Sequence, residues 1–321
     1  MLRLSLGTIA KELDKMLDRQ MTGQARIAAH LVAAAEAAGN NPEQVIRILD
    51  EVVAFTVLDE LWITDEKGFA YLTTVRDEEG KLIPFSFNPD PEVQPQASLF
   101  YPLLSETPDS DAVIAQEAQN REIDWEVYKY VGVSGVDKQR IVQVGSALAF
   151  EEQGLLTNTY SSPVMTAVLA AFGEYDLLYQ RHTTLSPQIQ GVFNAMLTKQ
   201  LAVHCVLTAV FVEIAEAAGW SCKEICQRLG RVVNTSPLDA IHVSTTAGSI
   251  THSSKVEVSS ELPRLQVCRA AIESGVDLVE HEWELAADNK YKVVTVLHRR
   301  TGRLVQVVES FKDTELVALM F

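Results

Sequence analysis

The chain has 321 residues, 47% of them hydrophobic and 22% charged, an ordinary globular balance that excludes a disordered, collagenous or fibrous protein and allows about two domains of roughly 100 to 200 residues. Its 27 Lys and Arg stand against 43 Asp and Glu, and the formal charge of -16 opposes attraction to phosphate backbones and anionic lipid heads, so neither nucleic acid nor membrane insertion is expected. The four cysteines (Cys205, Cys222, Cys226 and Cys268) are too few and too lopsided for a secreted disulfide framework, and Lys11, Glu12, Asp14 and Lys15 interrupt any early apolar run, so the expectation is a cytoplasmic protein.

Taken in chain order, Leu13, Leu17, Ile27, Leu31 and Ala35 fall on one face of a long helix that stops at Gly39. Pro42 opens a short helix whose apolar face is Val45, Ile46, Leu49, Val52 and Val53. Glu60 to Thr64, the turn Asp65 to Gly68, and Phe69 to Thr74 form a β-hairpin, and Asp77-Glu78-Glu79 marks a solvated turn. A Pro-rich, helical middle follows, in which Asp109-Ser110-Asp111 is expected to cap a helix rather than form a weak cation site. Glu126 to Val133 and Arg140 to Val144 make a second hairpin around Ser134-Gly135, apolar on both faces as in a sheet covered on both sides. Leu201 to Trp220 is apolar enough to resemble a membrane span, but it contains His204, Glu213 and Glu216 and is expected to be a buried helix.

The elements recur. Met16 to Thr74 lies without gaps over Met196 to Ser254, an offset of 180 residues that matches Ala35-Glu36-Ala37-Ala38-Gly39 to Ala215-Glu216-Ala217-Ala218-Gly219 and Gly68 to Gly248. Tyr128-Lys129 and Arg140 to Val144 recur at an offset of 163, as Tyr291-Lys292 and Arg303 to Val307. The first copy is thus longer by 17 residues in its middle. The expected fold class is α+β: two repeated PAS-like domains, residues 1–160 and 161–321, each an antiparallel β-sheet with helices on its faces and a long N-terminal helix, joined between about Phe150 and Pro187.

The stretches Trp62 to Thr74 and Tyr128 to Asp137 resemble those of the Cache domains, PAS-like sensor modules of chemoreceptors and sensor kinases. Such modules usually lie between membrane helices and precede a signalling module, a pattern that this chain is not expected to follow. The resemblance implies a small-molecule pocket between sheet and middle segment, for an amino acid or small carboxylate, with roles in signal transduction and chemotaxis and with a homodimer or a separate signalling protein as partner. The polar and aromatic groups placed to line it in the first copy are Trp62, Tyr71, Thr73, Arg76, Phe85, Phe87, Tyr101, Tyr128 and Tyr130, within a middle that also carries Asn88, Asp90, Gln94, Gln96 and Phe100. The second copy has His242, Thr251 and His252 where the first has Trp62, Tyr71 and Leu72.

Signatures of catalysis are absent: there is no phosphate loop, nucleophile elbow or zinc-protease motif, so no catalytic residue, cofactor or metal is expected. His204-Cys205 and Cys222-x-x-x-Cys226 fall opposite apolar or ordinary residues of the first copy, and the thiols read as free core cysteines rather than metal ligands. Lys129 and Lys292 recur at the same strand position, which suggests either a salt bridge required by the fold or an edge position. The alternative to a sensor is a non-catalytic scaffold whose sensor domains no longer bind ligand.

Overall fold

The computed structural model describes residues 6–121, 126–147, 187–255, 278–286 and 289–311. The expected junction between about Phe150 and Pro187, Cys268 and the segment that precedes residue 278 lie largely outside the described residues. The chain is α+β with two antiparallel sheets. Helix α1 (Leu6–Ala37) and helix α2 (Pro42–Ala54) precede strands β1 (Glu60–Thr64) and β2 (Ala70–Thr73). A 3-10 helix (Ala97–Ser105) follows, then β3 (Val113–Ala115), β4 (Gln119–Asn120), β5 (Val127–Ser134) and β6 (Ile141–Ala147). The second half holds α3 (Pro187–Ala217), α4 (Cys222–Asn234), β7 (Leu238–Thr245), β8 (Ile250–Ser253), β9 (Leu278–Ala286), β10 (Asn289–His298) and β11 (Arg303–Phe311). Strand order is β2-β1-β6-β5-β3 in the first sheet, with β4 also on β5, and β8-β7-β11-β10-β9 in the second.

Local chemistry explains where the elements stop and turn. At the end of α1, Asn40 N–H donates to Ala35 O and Gly39 N–H to Glu36 O, with Gly39 at φ 82°, a termination that needs a residue tolerant of left-handed backbone. Trp220, Gly219, Ala215 and Glu216 repeat this at the end of α3. Reciprocal capping boxes, Asn41 with Gln44 and Ser221 with Glu224, start α2 and α4. In the first hairpin the Asp65 carboxylate accepts from the N–H groups of Lys67 and Phe69, and in the Asp77 turn the same device serves Glu79 and Lys81. Both hairpins carry a bulge at the same place, Ile63/Thr64 and Val243/Ser244, and Thr74 and Ser254 hydroxyls accept from Leu61 and Ile241 N–H.

The core lies between the sheets and the two long helices, which pack on each other. Their contact is isologous in form. Gln24 Nε2 donates to Gln200 Oε1 at 2.7 Å, and His204 Nε2 lies 3.0 Å from Gln20 Oε1, so each helix uses the same two positions toward the other. Gln20 Nε2 also donates to Glu309 on β11 at 2.7 Å. The span of helix α3 long and apolar enough to cross a membrane, Asn194–Ala217, is mostly buried within the protein. Among the described residues Lys129 is fully buried and bridges Asp14 and Asp18 of α1, each at 2.7 Å. Lys292 hydrogen-bonds Asn194 at the matching place.

Buried titratable groups set the pH dependence of stability. Burial holds His30 and His204 at about 3 and His242 at about 4, below the free value of 6.5, so each contributes stability that is complete above pH 6.5 and lost as pH falls toward the folded value. Burial pushes Glu309 up to about 8 from 4.5, so its contribution is complete below pH 4.5 and lost as pH rises through 8. Thermal melts across pH are expected to show a maximum near about pH 6.5, with Glu309→Gln flattening the alkaline limb. A wild-type midpoint that keeps rising from neutral pH to mildly alkaline pH would overturn this assignment.

Candidate functional site

On the face of the first sheet away from α1 lies a cleft that is open to solvent on one side. Its walls are Trp62 of β1, Phe85 and Phe87 of the loop after β2, Gln96, Ala97 and Phe100 at the 3-10 helix, Gln116, Arg121, Tyr130 of β5 and Gln143 of β6. The loop rings pack on the sheet: Phe85 lies 5.3 Å from Trp62 and 5.1 Å edge-on from Phe87. Phe100 approaches because β5 carries Gly132, where a Cβ would stand 2.7 Å from its ring. The second sheet has Thr295 at the matching ladder position, opposite Gln306, and the two side chains hydrogen-bond.

Beneath the cleft sits a buried carboxylate. Glu60 accepts from Trp62 Nε1 at 3.1 Å, from the Tyr130 hydroxyl, and from Arg121 Nη1 at 2.7 Å. Burial pushes Glu60 up, against the hydrogen bonds of Tyr130 and Trp62 and the charge of Arg121. Three donors on two oxygens match the ionised form, and the ion pair with Arg121 leaves the cluster neutral in sum. The Arg121 guanidinium also covers the Tyr128 ring at 4.0 Å, and Tyr128 stacks on Tyr130 at 5.6 Å. Glu60, Gly145 and Tyr130 form one row across β1, β6 and β5, and a Cβ on Gly145 would stand 2.6 Å from the Tyr130 ring and 2.7 Å from Glu60 Cγ. The same row in the second sheet is Ala240, Val308 and Val293.

The cleft thus gathers Trp62, Phe85, Phe87 and Tyr130. Tyr128 lies beside it, and Tyr101 packs in the same apolar cluster. Thr73 pairs with Trp62 in the ladder, and its hydroxyl accepts from Val75 N–H. Tyr71 and Arg76 are elsewhere. Tyr71 is the extra residue of the β2 bulge, which turns it to the α1 side, where its hydroxyl donates to Glu36 and accepts from Arg140. Arg76 is engaged by Asp50 of α2 at 2.5 Å. Glu60, Gln116, Arg121 and Gln143 were not among the expected pocket residues. Gln143 is opposite Trp62 in the ladder, and polar residues inside the apolar β1 and β6 strands were the sequence signal for it and for Glu60.

Asp109-Ser110-Asp111 does not cap a helix; it leads into β3, and Asp109 adopts φ 61°. Arg26 of α1 donates to the carbonyls of Ser110 and Asp111, while Arg231 of α4 donates to Asp109 O and pairs with Asp111. Both halves therefore grip the loop between the 3-10 helix and β3. Cys222 and Cys226 sulfurs are 3.9 Å apart on the first turn of α4, Cys205 is buried with its thiol pushed up by burial, and no group of three or more potential metal ligands occurs among the described residues.

No protein-family model matches the chain, and no curated protein matches it. Seven solved chains match. One is the extracellular domain of rpHK1S-Z16, described as a histidine kinase, at 8% identity, TM-score 0.30, and coverage of 94% of this chain and 92% of that one. Another is the ligand-binding domain of the Campylobacter jejuni chemoreceptor Tlp3 in complex with L-valine, at 8% identity, TM-score 0.23, and 94% coverage of both chains. At these TM-scores neither likeness carries an argument about this chain.

Proposed function

We propose that the chain is a sensor-type ligand-binding protein of two duplicated PAS-like domains, residues 1–160 and 161–321, with its small-molecule site in the aromatic cleft of the first. The single observation that carries this reading is a contrast at one row of two sheets that share strand order and ladder register across β1, β6 and β5 and across β7, β11 and β10. Glu60, Gly145 and Tyr130 build a polar base under the cleft where the second sheet has the apolar row Ala240, Val308 and Val293. A fold needs no buried carboxylate at that point, since the second sheet is built without one, and buried charge is costly unless it serves something else. Duplication explains the shared bulges, capping boxes and helix ends; ligand binding explains the departure. The nine residues expected to line a site reduce in this proposal to Trp62, Phe85, Phe87 and Tyr130, joined by Gln96, Gln116, Arg121 and Gln143.

A thermal-shift screen of small metabolites tests this. A ligand at a hundredfold excess over its dissociation constant adds about 2.7 kcal/mol, a rise of several degrees for a protein of this size. The expected result is a hit whose shift disappears with Trp62→Ala and persists with His242→Ala. A hit that behaves the other way would place the site in the second half, and a broad screen without any hit would favour a scaffold.

A further inference from the structure

Gln116 is 3% exposed and lines the cleft, and among the described residues neither its Nε2 nor its Oε1 has a hydrogen-bond partner. Its backbone is fixed on both sides, since its N–H donates to Tyr130 O at 2.9 Å and its carbonyl accepts from Lys129 Nζ at 3.2 Å. A buried amide with both ends idle is rare, because the protein forgoes two hydrogen bonds that water would have supplied. The two atoms present a donor beside an acceptor, and the partner that satisfies both at once offers an acceptor beside a donor. That edge is a cis amide, N–H next to C=O in one ring. Interchanging the oxygen and nitrogen of Gln116 leaves the match intact, because such a ligand turns over to suit.

The rest of the cleft narrows the class. Trp62, Phe85, Phe87, Phe100 and Tyr130 supply ring faces, and Gln96 and Gln143 supply further amides. Among the described lining residues Arg121 is the one that carries a charge, and it is already engaged by Glu60 and by the Tyr128 ring. A carboxylate or a zwitterion would have to break that pair to be neutralised. An alkylated ammonium would suit the rings but leave Gln116 without partners. Building on the proposed site, we propose that the cleft takes a neutral, planar, single-ring molecule with a cis-amide edge, of the lactam, cyclic imide, pyridone or pyrimidine class, stacked among the rings and paired edge-on with Gln116.

Titration calorimetry on the full chain with uracil and 2-pyridone tests the class, with 1,3-dimethyluracil, benzoate, L-leucine and tetramethylammonium as contrasts. The expected result is that uracil or 2-pyridone binds, that dimethylation of the ring nitrogens weakens binding by about tenfold or more, and that Gln116→Leu does the same without a loss of melting temperature. If Gln116→Leu is poorly folded, the dimethyluracil contrast on the unaltered protein decides. Binding of benzoate, L-leucine or tetramethylammonium in a Trp62-dependent way, with uracil and 2-pyridone silent at millimolar concentration, overturns the class and leaves the site standing. Silence of uracil and 2-pyridone with no Trp62-dependent ligand in the wider screen overturns both. Uracil binding that ignores Gln116→Leu overturns the pairing.

Discussion

Replacing Lys129 by alanine is expected to destabilise the chain by about 3 to 5 kcal/mol, the range for breaking a buried ion pair from one side. Lys129 is fully buried on β5, and its ammonium reaches Asp14 and Asp18, one turn apart on α1, as well as the Gln116 carbonyl. Its removal leaves two carboxylates facing each other over an apolar sheet, the Asp18 carboxyl already pushed up by burial. Lys129→Met restores the packing of the stem but not the charge, so its cost falls between the wild type and Lys129→Ala. The two carboxylates keep 26% and 32% of their exposure, and that makes the measurement informative: an exposed pair would give only about 0 to 1 kcal/mol. Urea unfolding of the variants reads the difference. A loss of less than about 1 kcal/mol would show that solvent screens the triad as it screens a surface bridge. Because the same ammonium also holds the Gln116 carbonyl, ligand affinity is expected to fall with stability.

Much of the backbone plan was legible because punctuation is chemical and local. Gly39 and Gly219 end helices, Asp65 and Gly68 make the first hairpin turn, and the 180-residue offset runs through capping residues whose side chains do the same work in both halves. The strand position of Lys129 and Lys292 was legible for the same reason, as a repeated residue type at a repeated ladder position, and Lys129 does form the ion pair expected of it. What could not be read was which way side chains face once a bulge intervenes. Simple alternation from Thr73 puts Tyr71 beside Trp62; the unpaired residue in β2 reverses this and sends Tyr71 to Glu36 and Arg140. Gln116 and Arg121 escaped for a different reason. They sit between short strands with no periodicity, and their place beside Trp62 and Glu60 is fixed by ladder contacts with β5 that span no recognisable sequence pattern.

Gly145→Val, which writes the residue of the second sheet into the first, is expected to cost about 1 to 3 kcal/mol by overpacking and to abolish ligand binding. The new Cβ would stand 2.6 Å from the Tyr130 ring and 2.7 Å from Glu60 Cγ, and neither group can yield freely, because each is buried and they are hydrogen-bonded to one another. Tyr130 moves toward the cleft that it lines, and Glu60 loses its place under Trp62 and Arg121. The cost is expected to shrink when Tyr130 is already valine, since the nearest ring atom is gone, with a coupling of about 0.5 to 3 kcal/mol for residues in contact. Binding does not return with the stability, because the double variant carries the apolar pair of the second sheet, Val308 and Val293. Chemical unfolding and a thermal-shift titration on the single and double variants separate the two effects. Should Gly145→Val keep both its stability and its ligand shift, the row beneath the cleft is not what shapes it, and the contrast between the two sheets loses its functional meaning.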